Sequence, residues 1–363
     1  LNKAFKFRIY PNAFQQTQIA RTFGCVRFVY NRMLADRIRH YEETGESLSN
    51  TPAQYKKEFE WLREVDSLAL ANAQLNLNKA YQHFFREQAA GFPQFKSKKS
   101  HRKSYMTNWV NNNIRLEKGS IILPKLKAVK IKQHREIPAD YRLKSVTVSQ
   151  TPSGAYYVSI LYEYESHVES VQPETFIGLD YSMQELYISS DGETAAYPRY
   201  YRQSLDQLRR EQRKLSHCQK GSKNRSKQRI KVAQIHEKVT NQRKDFLHKQ
   251  SRQITNAVDA VCIEDLNMKG MSQALNFGKS VSDTAFGTFV RMLDYKLKEQ
   301  GKQLIKIDKW YPSSKLCSSC GEAKKTLDLS ERTYHCEACG AVINRDYNAS
   351  INIRREGMRL LLA

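Results

Sequence analysis

Across its 363 residues the chain has no apolar run approaching the roughly 18 residues a helix needs to cross a bilayer, which excludes a helical membrane protein. No basic-then-apolar leader stands at the start, which argues against secretion and makes a cytoplasmic protein the expectation. A Gly-x-x-x-x-Gly-Lys phosphate loop is missing, which leaves an ATP-driven motor unsupported. The nine His residues form no paired cluster, and Cys25, Cys218 and Cys262 have no suggestive neighbours, so Ser–His–Asp and Cys–His nucleophiles fare poorly. No internal repeat is visible. The chain is also short of acid: 37 Asp and Glu face 60 Lys and Arg, a formal net charge of +23.

A charge that large repels itself in the compact state and points to a polyanionic partner, nucleic acid or an anionic membrane surface. Hydrophobic residues make up 40% and both signs of charge run along most of the chain, which argues against wholesale disorder. The length favours two or three domains. Seven Cys, an odd number with two Cys-x-x-Cys pairs, point to a reducing compartment and a metal rather than disulfides.

Lys3 to Tyr10 alternates Phe5, Phe7 and Ile9 with basic residues, as in a half-buried strand that Pro11 and Asn12 end. A helical region follows to about Phe85, and Leu70, Leu77, Tyr81 and Phe84 mark the core face of its last helix. GFPQFKSKKSHRK places an aromatic turn before a dense basic run. From Tyr105 to Glu165, short alternating segments with turns at Gly119-Ser120 and Ser153-Gly154 suggest an antiparallel sheet or barrel completed by the first strand. FIGLD and ELYISS form a second strand cluster, followed by two basic helices near Leu205–Leu215 and Ser226–Ala257. Val232, Ile235, Val239 and Phe246 give the second helix a narrow apolar seam. Between Tyr201 and Arg252 there are 16 Lys and Arg against 4 Asp and Glu, too unbalanced for an ordinary solvated face and suited to phosphates. VDAVCIED, a helix near Ala285–Glu299, LIKID and a terminal helix from about Arg345 complete an α/β layer pattern.

The sharpest local signal is Cys317-x-x-Cys320 and Cys336-x-x-Cys339, separated by fifteen residues, with Gly321 and Gly340 after the pairs. Four thiolates in two knuckles suit tetrahedral Zn²⁺, and a site filled by protein ligands is structural, not catalytic. Three acidic positions compete for catalysis. Asp180 and Glu264 each end an apolar strand-like run, and Asp346 lies at the start of the last helix. Metal-dependent phosphodiester cleavage needs hard oxygen ligands from separate elements converging on two Mg²⁺ ions. Taken singly, each carboxylate is most often a cap or an ion-pair partner, and Asp265 beside Glu264 is an equal candidate by spacing.

RIYPN, FVYNRML, WLREVDSLALANAQLNLNKAYQHFF, GFPQFKSKK, NNNIRL, GLDYS, IEDLNMKGM, YPSSKLCSSCG and NRDYNASINI, in that order, resemble the TnpB (OrfB) family from one end of the chain to the other. These are transposon-encoded, RNA-guided DNA endonucleases related to type V CRISPR effectors. The resemblance implies an α/β multidomain protein with a RuvC-like, RNase H-type nuclease domain, an inserted zinc ribbon, an N-terminal β-barrel (wedge) and a helical recognition domain. Its expected divisions are 1–10 for the first wedge strand, 11–100 for recognition and 101–171 for the rest of the wedge. The nuclease would take 172–310, including basic helices 201–257, then the ribbon 311–342 and the nuclease's last helix 343–363. It makes Asp180, Glu264 and Asp346 the Mg²⁺-binding triad and prefers Glu264 to Asp265.

The partners it implies are a guide RNA from the transposon end and double-stranded target DNA with a short adjacent motif, with no membrane and no small-molecule substrate. The region around Asn50–Ala73 and Asn111–Asn113 would read that motif, since Asn amides can pair with adenine edges, although Asn is also a turn former. Expected nucleic-acid contacts are Asn50, Thr51, Asn111, Asn112, Lys96, Lys98, Lys99, Arg209, Arg210 and Lys231. The polar stretch Asn267–Ser282 is a candidate lid by position and composition. After GLD stands Tyr181-Ser182-Met183, where many relatives have a smaller, Gly-containing turn. The other readings are a nuclease-silent RNA-guided repressor, which an intact acidic set disfavours, and a guide-free structure-selective nuclease, which would need far less chain. A transposase is rejected, because no Tyr nucleophile with paired His ligands is present.

Overall fold

A computed structural model describes residues 1–87, 89–100, 103–165, 168–273, 278–328 and 330–362. It divides into two compact units, Leu1–Ser166 and His167–Ala363. Among the described residues no helix is long and apolar enough to cross a membrane.

The first unit opens with β1 (Asn2–Tyr10), which buries Phe5, Phe7 and Ile9. Pro11 removes a donor and Asn12 caps α1 (Ala13–Thr44): its Oδ1 accepts from Gln15 N at 2.9 Å while Gln15 Oε1 accepts from Asn12 N. Next come α2 (Pro52–Glu58), a 3₁₀ turn at Glu60–Glu64 and α3 (Ser67–Arg86), whose start Asp66 caps by accepting from Leu68 N. Leu70 and Leu77 of α3 are fully buried, and Tyr81 packs at the margin of the same core. Strands β2 (Lys103–Asn108), β3 (Arg115–Glu117), β4 (Ser120–Leu123), β5 (Lys127–Lys132), β6 (Arg142–Gln150) and β7 (Tyr156–Glu163) follow. Gly119 and Gly154 hold left-handed turns between them, at φ 77° and 88°.

These strands make one antiparallel sheet in the order β2-β6-β7-β1-β5-β4-β3. The first strand is therefore central, with Phe5 opposite Ile160 of β7. The expected barrel is corrected to an open half-barrel, because its end strands β2 and β3 do not pair. The reason lies at β2, which α3 packs against: Asn72 Nδ2 donates to the β2 carbonyl of Met106 at 3.2 Å. Helices and sheet share a single apolar core.

The second unit begins with β8 (Phe176–Ser182), β9 (Leu186–Ser189), α4 (Tyr200–His217), α5 (Lys223–Ala257) and β10 (Ala260–Glu264). Two short helices, α6 (Met268–Gln273) and α7 (Gly278–Thr284), lead to α8 (Phe286–Lys298) and β11 (Gln303–Ile307). A ribbon with β12 (Thr333–His335) and β13 (Val342–Asn344) then runs into α9 (Arg345–Leu362). The main sheet has the order β11-β10-β8-β9, with β8, β10 and β11 parallel and β9 antiparallel. Strand alternation divides it. Ile177, Leu179, Val261 and Ile263 pack with Phe289 and Leu293 of α8 and Leu247 of α5. Gly178 and Cys262 face α9 instead.

Candidate functional site

The parallel register pairs Leu179 of β8 with Ile263 of β10, so Asp180 and Glu264 leave neighbouring strands at the same level. Each lies two residues from a position that faces α9, at Gly178 and Cys262, so both carboxylates share that face. Asp265 falls on the other side, where Lys306 Nζ holds its Oδ1 at 2.8 Å. Asp346, second residue of α9, brings its charge within electrostatic reach of Asp180 from the helix N-terminus, although the ligand atoms of the three carboxylates do not all lie within 4.8 Å of one another. Two glycines allow this approach. A Cβ on Gly178 would stand 2.1 Å from the Ser350 carbonyl of α9, and one on Gly357 of α9 would stand 2.3 Å from Cys262 Sγ.

Burial pushes the Asp180 carboxyl well above the usual aspartate range, and the negative charges of Glu264 and Asp346 push it further, with Arg345 opposing them. Burial likewise raises Glu264, which Ser313 Oγ partly offsets by donating to Glu264 Oε1 at 2.5 Å. Ser313 was not anticipated as a site residue, although it lies within the YPSSKLC segment. Tyr181, the bulky departure after Asp180, packs its ring 4.6 Å from that of Phe286 at a 44° tilt and places its hydroxyl 3.2 Å from Thr284 Oγ1.

Cys317, Cys320, Cys336 and Cys339 converge, with all candidate ligand atoms within 4.8 Å of one another; no other group of three or more His, Cys, Asp or Glu among the described residues does so. Sγ–Sγ separations are 3.7 Å for Cys317–Cys339 and 3.6 Å for Cys320–Cys336. Sulfurs about 2.3 Å from one tetrahedral ion stand about 3.8 Å apart, so the set fits Zn²⁺ without rearrangement. Gly321 and Gly340 turn left-handed, at φ 80° and 70°, and return N–H groups to the Cys317 and Cys336 carbonyls. Burial raises the Cys317 thiol, but N–H groups of Cys320 and Ser319 and the neighbouring sulfurs bring it down to about 6.

The ribbon is fastened to the helix that carries Asp346. Asn348 Oδ1 accepts from Ser318 N at 2.8 Å, and its Nδ2 donates to Leu316 O at 2.7 Å. One turn on, Asn352 Nδ2 donates to the same Leu316 carbonyl and to Ser313 O, both at 2.8 Å. Both asparagines are buried. Their i, i+4 spacing was legible in NRDYNASINI, but nothing in the pattern named their partners.

The expected nucleic-acid contacts scatter. Asn50 is buried, and its amide is committed: Oδ1 accepts from Arg37 Nε at 2.8 Å and Nδ2 donates to Tyr55 Oη at 2.9 Å and to Met33 O. It holds a turn and has no group left for a base edge, which corrects its assignment to motif reading. Thr51 is exposed at the start of α2. Asn111 and Asn112 are exposed and both left-handed, at φ 48° and 59°, a conformation Asn tolerates. Lys96 sets its ammonium 3.9 Å over the Tyr30 ring, and desolvation there lowers its pKa. Lys98 and Lys99 are exposed, and so are Arg209 and Arg210 of α4 and Lys231 of α5. Arg209, Arg210, Arg213 and Lys214 line one shallow concavity along α4. Residues 101–102 of the basic run and 274–277 of Asn267–Ser282 lie outside the described residues.

Residues 159–275 match the family model OrfB_IS605, described as "Probable transposase", and 286–353 match a Cas12f1-like TNB domain. Residues 1–46 match a helix-turn-helix domain, although the structure there is one strand and one unbroken helix. A "Putative RNA-guided DNA endonuclease" of Streptomyces pristinaespiralis is 35% identical over 99% of this chain and 90% of its own. "Putative RNA-guided DNA endonuclease InsQ" of Escherichia coli K12 is 29% identical over 99% and 93%. A chain from the cryo-EM structure of a Cas12f1-sgRNA-target DNA complex superposes with a TM-score of 0.63 over 98% of both chains, at 13% identity, which shows a shared fold.

Proposed function

The chain belongs to the TnpB (OrfB) family, and from that premise we propose that it is an RNA-guided DNA endonuclease cutting double-stranded DNA at Asp180, Glu264 and Asp346. The observation that carries the reading is that carboxylates from two adjacent parallel strands and a helix N-terminus lie within electrostatic reach of one another around Asp180. Their mutual repulsion, felt most at Asp180, is what a divalent cation would relieve, and their hard oxygen donors suit Mg²⁺. Two such ions would supply an activated water and a stabilised leaving oxygen. The protein's own part is to hold the three carboxylates on one face, to orient Glu264 through Ser313, and to keep α9 against the sheet.

We assign the four cysteines to a closed structural Zn²⁺ site in a ribbon spanning 311–342. Segments 1–10 and 101–171 as wedge and 11–100 as recognition are proposed to hold the guide and target duplex, and 172–310 with 343–363 forms the nuclease. Lys96, Lys98, Lys99, Arg209, Arg210 and Lys231 would meet phosphates, with Thr51, Asn111 and Asn112 near the target-adjacent motif. Site choice would be delegated to guide pairing. The action is placed in the cytoplasm, at the nucleoid.

The test is expression beside the native genomic flank, sequencing of the co-purified RNA, and cleavage of a matched plasmid. One discrete RNA with a variable end, cleavage by the loaded protein, and RNA and target binding without cleavage in Asp180→Ala are expected. Cutting that persists in Asp180→Ala overturns the site; random or absent RNA overturns guidance.

A further inference from the structure

Trp310 is 80% exposed, whereas Trp61 and Trp109 are 42% and 44% exposed. It sits on a turn between Ile307 and Ser313 whose two ends are both tied to Glu264. Ile307 is the register partner of Glu264 in the sheet and accepts a hydrogen bond from Asp265 N, while Ser313 donates its hydroxyl to the Glu264 carboxylate. Trp310 is three residues from each end, so its backbone stays within roughly 10 Å of both anchors. The turn is internally fastened: Asp308 Oδ1 accepts from Trp310 N at 2.6 Å, Asp308 O from Tyr311 N at 3.1 Å, and Tyr311 O from Ser313 N at 2.8 Å. Lys309 is exposed beside it, with its ammonium 5.0 Å from the indole.

A large aromatic ring carried into solvent on a fastened turn, flanked by a cation and set near the carboxylates, has the two elements of a single-strand contact: a stacking face and a phosphate partner. We propose that Trp310 is a base-stacking platform for the DNA strand being cut, fixing one unpaired nucleotide beside the carboxylates. The proposal rests on the nuclease reading above and adds its substrate form, since a duplex keeps its bases stacked on each other and offers no free face. The ring binds any base, so it contributes grip without sequence preference.

The experiment is an abasic-site scan along a single-stranded substrate, cut by the guide-loaded full-length protein, in wild type, Trp310→Ala and Trp310→Phe. In the wild type, removal of one base near the scissile phosphate is expected to raise KM about tenfold, in line with stacking energies. Trp310→Ala should raise KM for the intact strand by a similar factor and be indifferent to that abasic position, with Trp310→Phe restoring much of both. A scan that is flat in the wild type, or the same in Trp310→Ala, overturns the platform and leaves the nuclease reading standing. A wild-type protein that cuts neither a matched strand nor a matched plasmid overturns the nuclease reading, and the platform with it.

Discussion

Replacing Gly178 with alanine tests whether the closeness of α9 to the sheet is what assembles the carboxylates. The added methyl would lie 2.1 Å from Ser350 O and 2.7 Å from Arg354 N, both backbone atoms of α9 that no rotamer change can move. Ordinary contact begins near 3.4 Å, so the helix must retreat by roughly 1 Å. Forcing a carbon into a packed interface costs about 1–3 kcal/mol, and a backbone obstacle puts this case at the upper end. For a unit of this size that lowers Tm by about 5–10 °C. Asp346 is one helical turn before Ser350, so it travels with the helix, and a misplacement of about 1 Å costs about 100-fold in rate. Differential scanning of the purified protein and single-turnover cleavage by the guide-loaded variant measure the two effects. Gly24, inside α1 with nothing within 4 Å of its would-be Cβ, is the control, and its alanine variant should be neutral or slightly stabilising. A Gly178→Ala protein with wild-type Tm and cleavage within about twofold would refute the reasoning.

The carboxylate cluster has a second consequence. Because the Asp180 carboxyl is raised on folding, the native state binds its proton more readily than the unfolded chain, and stability falls as pH climbs from the ordinary aspartate value of about 3.9 through the raised one. In magnesium-free buffer Asp180→Asn should therefore melt higher than wild type at pH 7, with the difference vanishing near pH 4; equal melting at both pH values would contradict it. Cys336→Ser opens the four-thiolate set, so bound zinc by elemental analysis and folded yield should both drop, and an unchanged zinc content would count against the site.

Much of this architecture was legible because the relevant signals are local. Alternation in β1, the stripe of α3 and the two Cys-x-x-Cys knuckles each report a period or spacing that the backbone imposes. Sheet order is not local. Nothing within Lys3–Tyr10 says that the first strand lies between β7 and β5 at the centre of its sheet, or that α3 closes off β2 and leaves the barrel open. The choice between Glu264 and Asp265 shows the same boundary: alternation says they face opposite ways, but only the position of α9 says which way leads to Asp180. Asn50 failed as a base reader because exposure, unlike residue type, depends on what folds over it. Ser313 and the Asn348–Asn352 pair went unnoticed because their partners lie 30 to 49 residues away in sequence.

That asparagine pair is one of two fastenings between the ribbon and α9. The ribbon's near side, from Ser313 to Ser318, is bolted to α9 through Leu316 O, so a shift there would be carried into Asp346. The far side reaches α9 by a second route: Arg345, the residue before Asp346, donates through its guanidinium to Asp328 O and Glu331 O and through its backbone N–H to Arg332 O. The ribbon therefore grips the helix on both sides of Asp346, at Arg345 before it and at Asn348 and Asn352 after it, so a length change in either part of the ribbon would be carried to the start of α9.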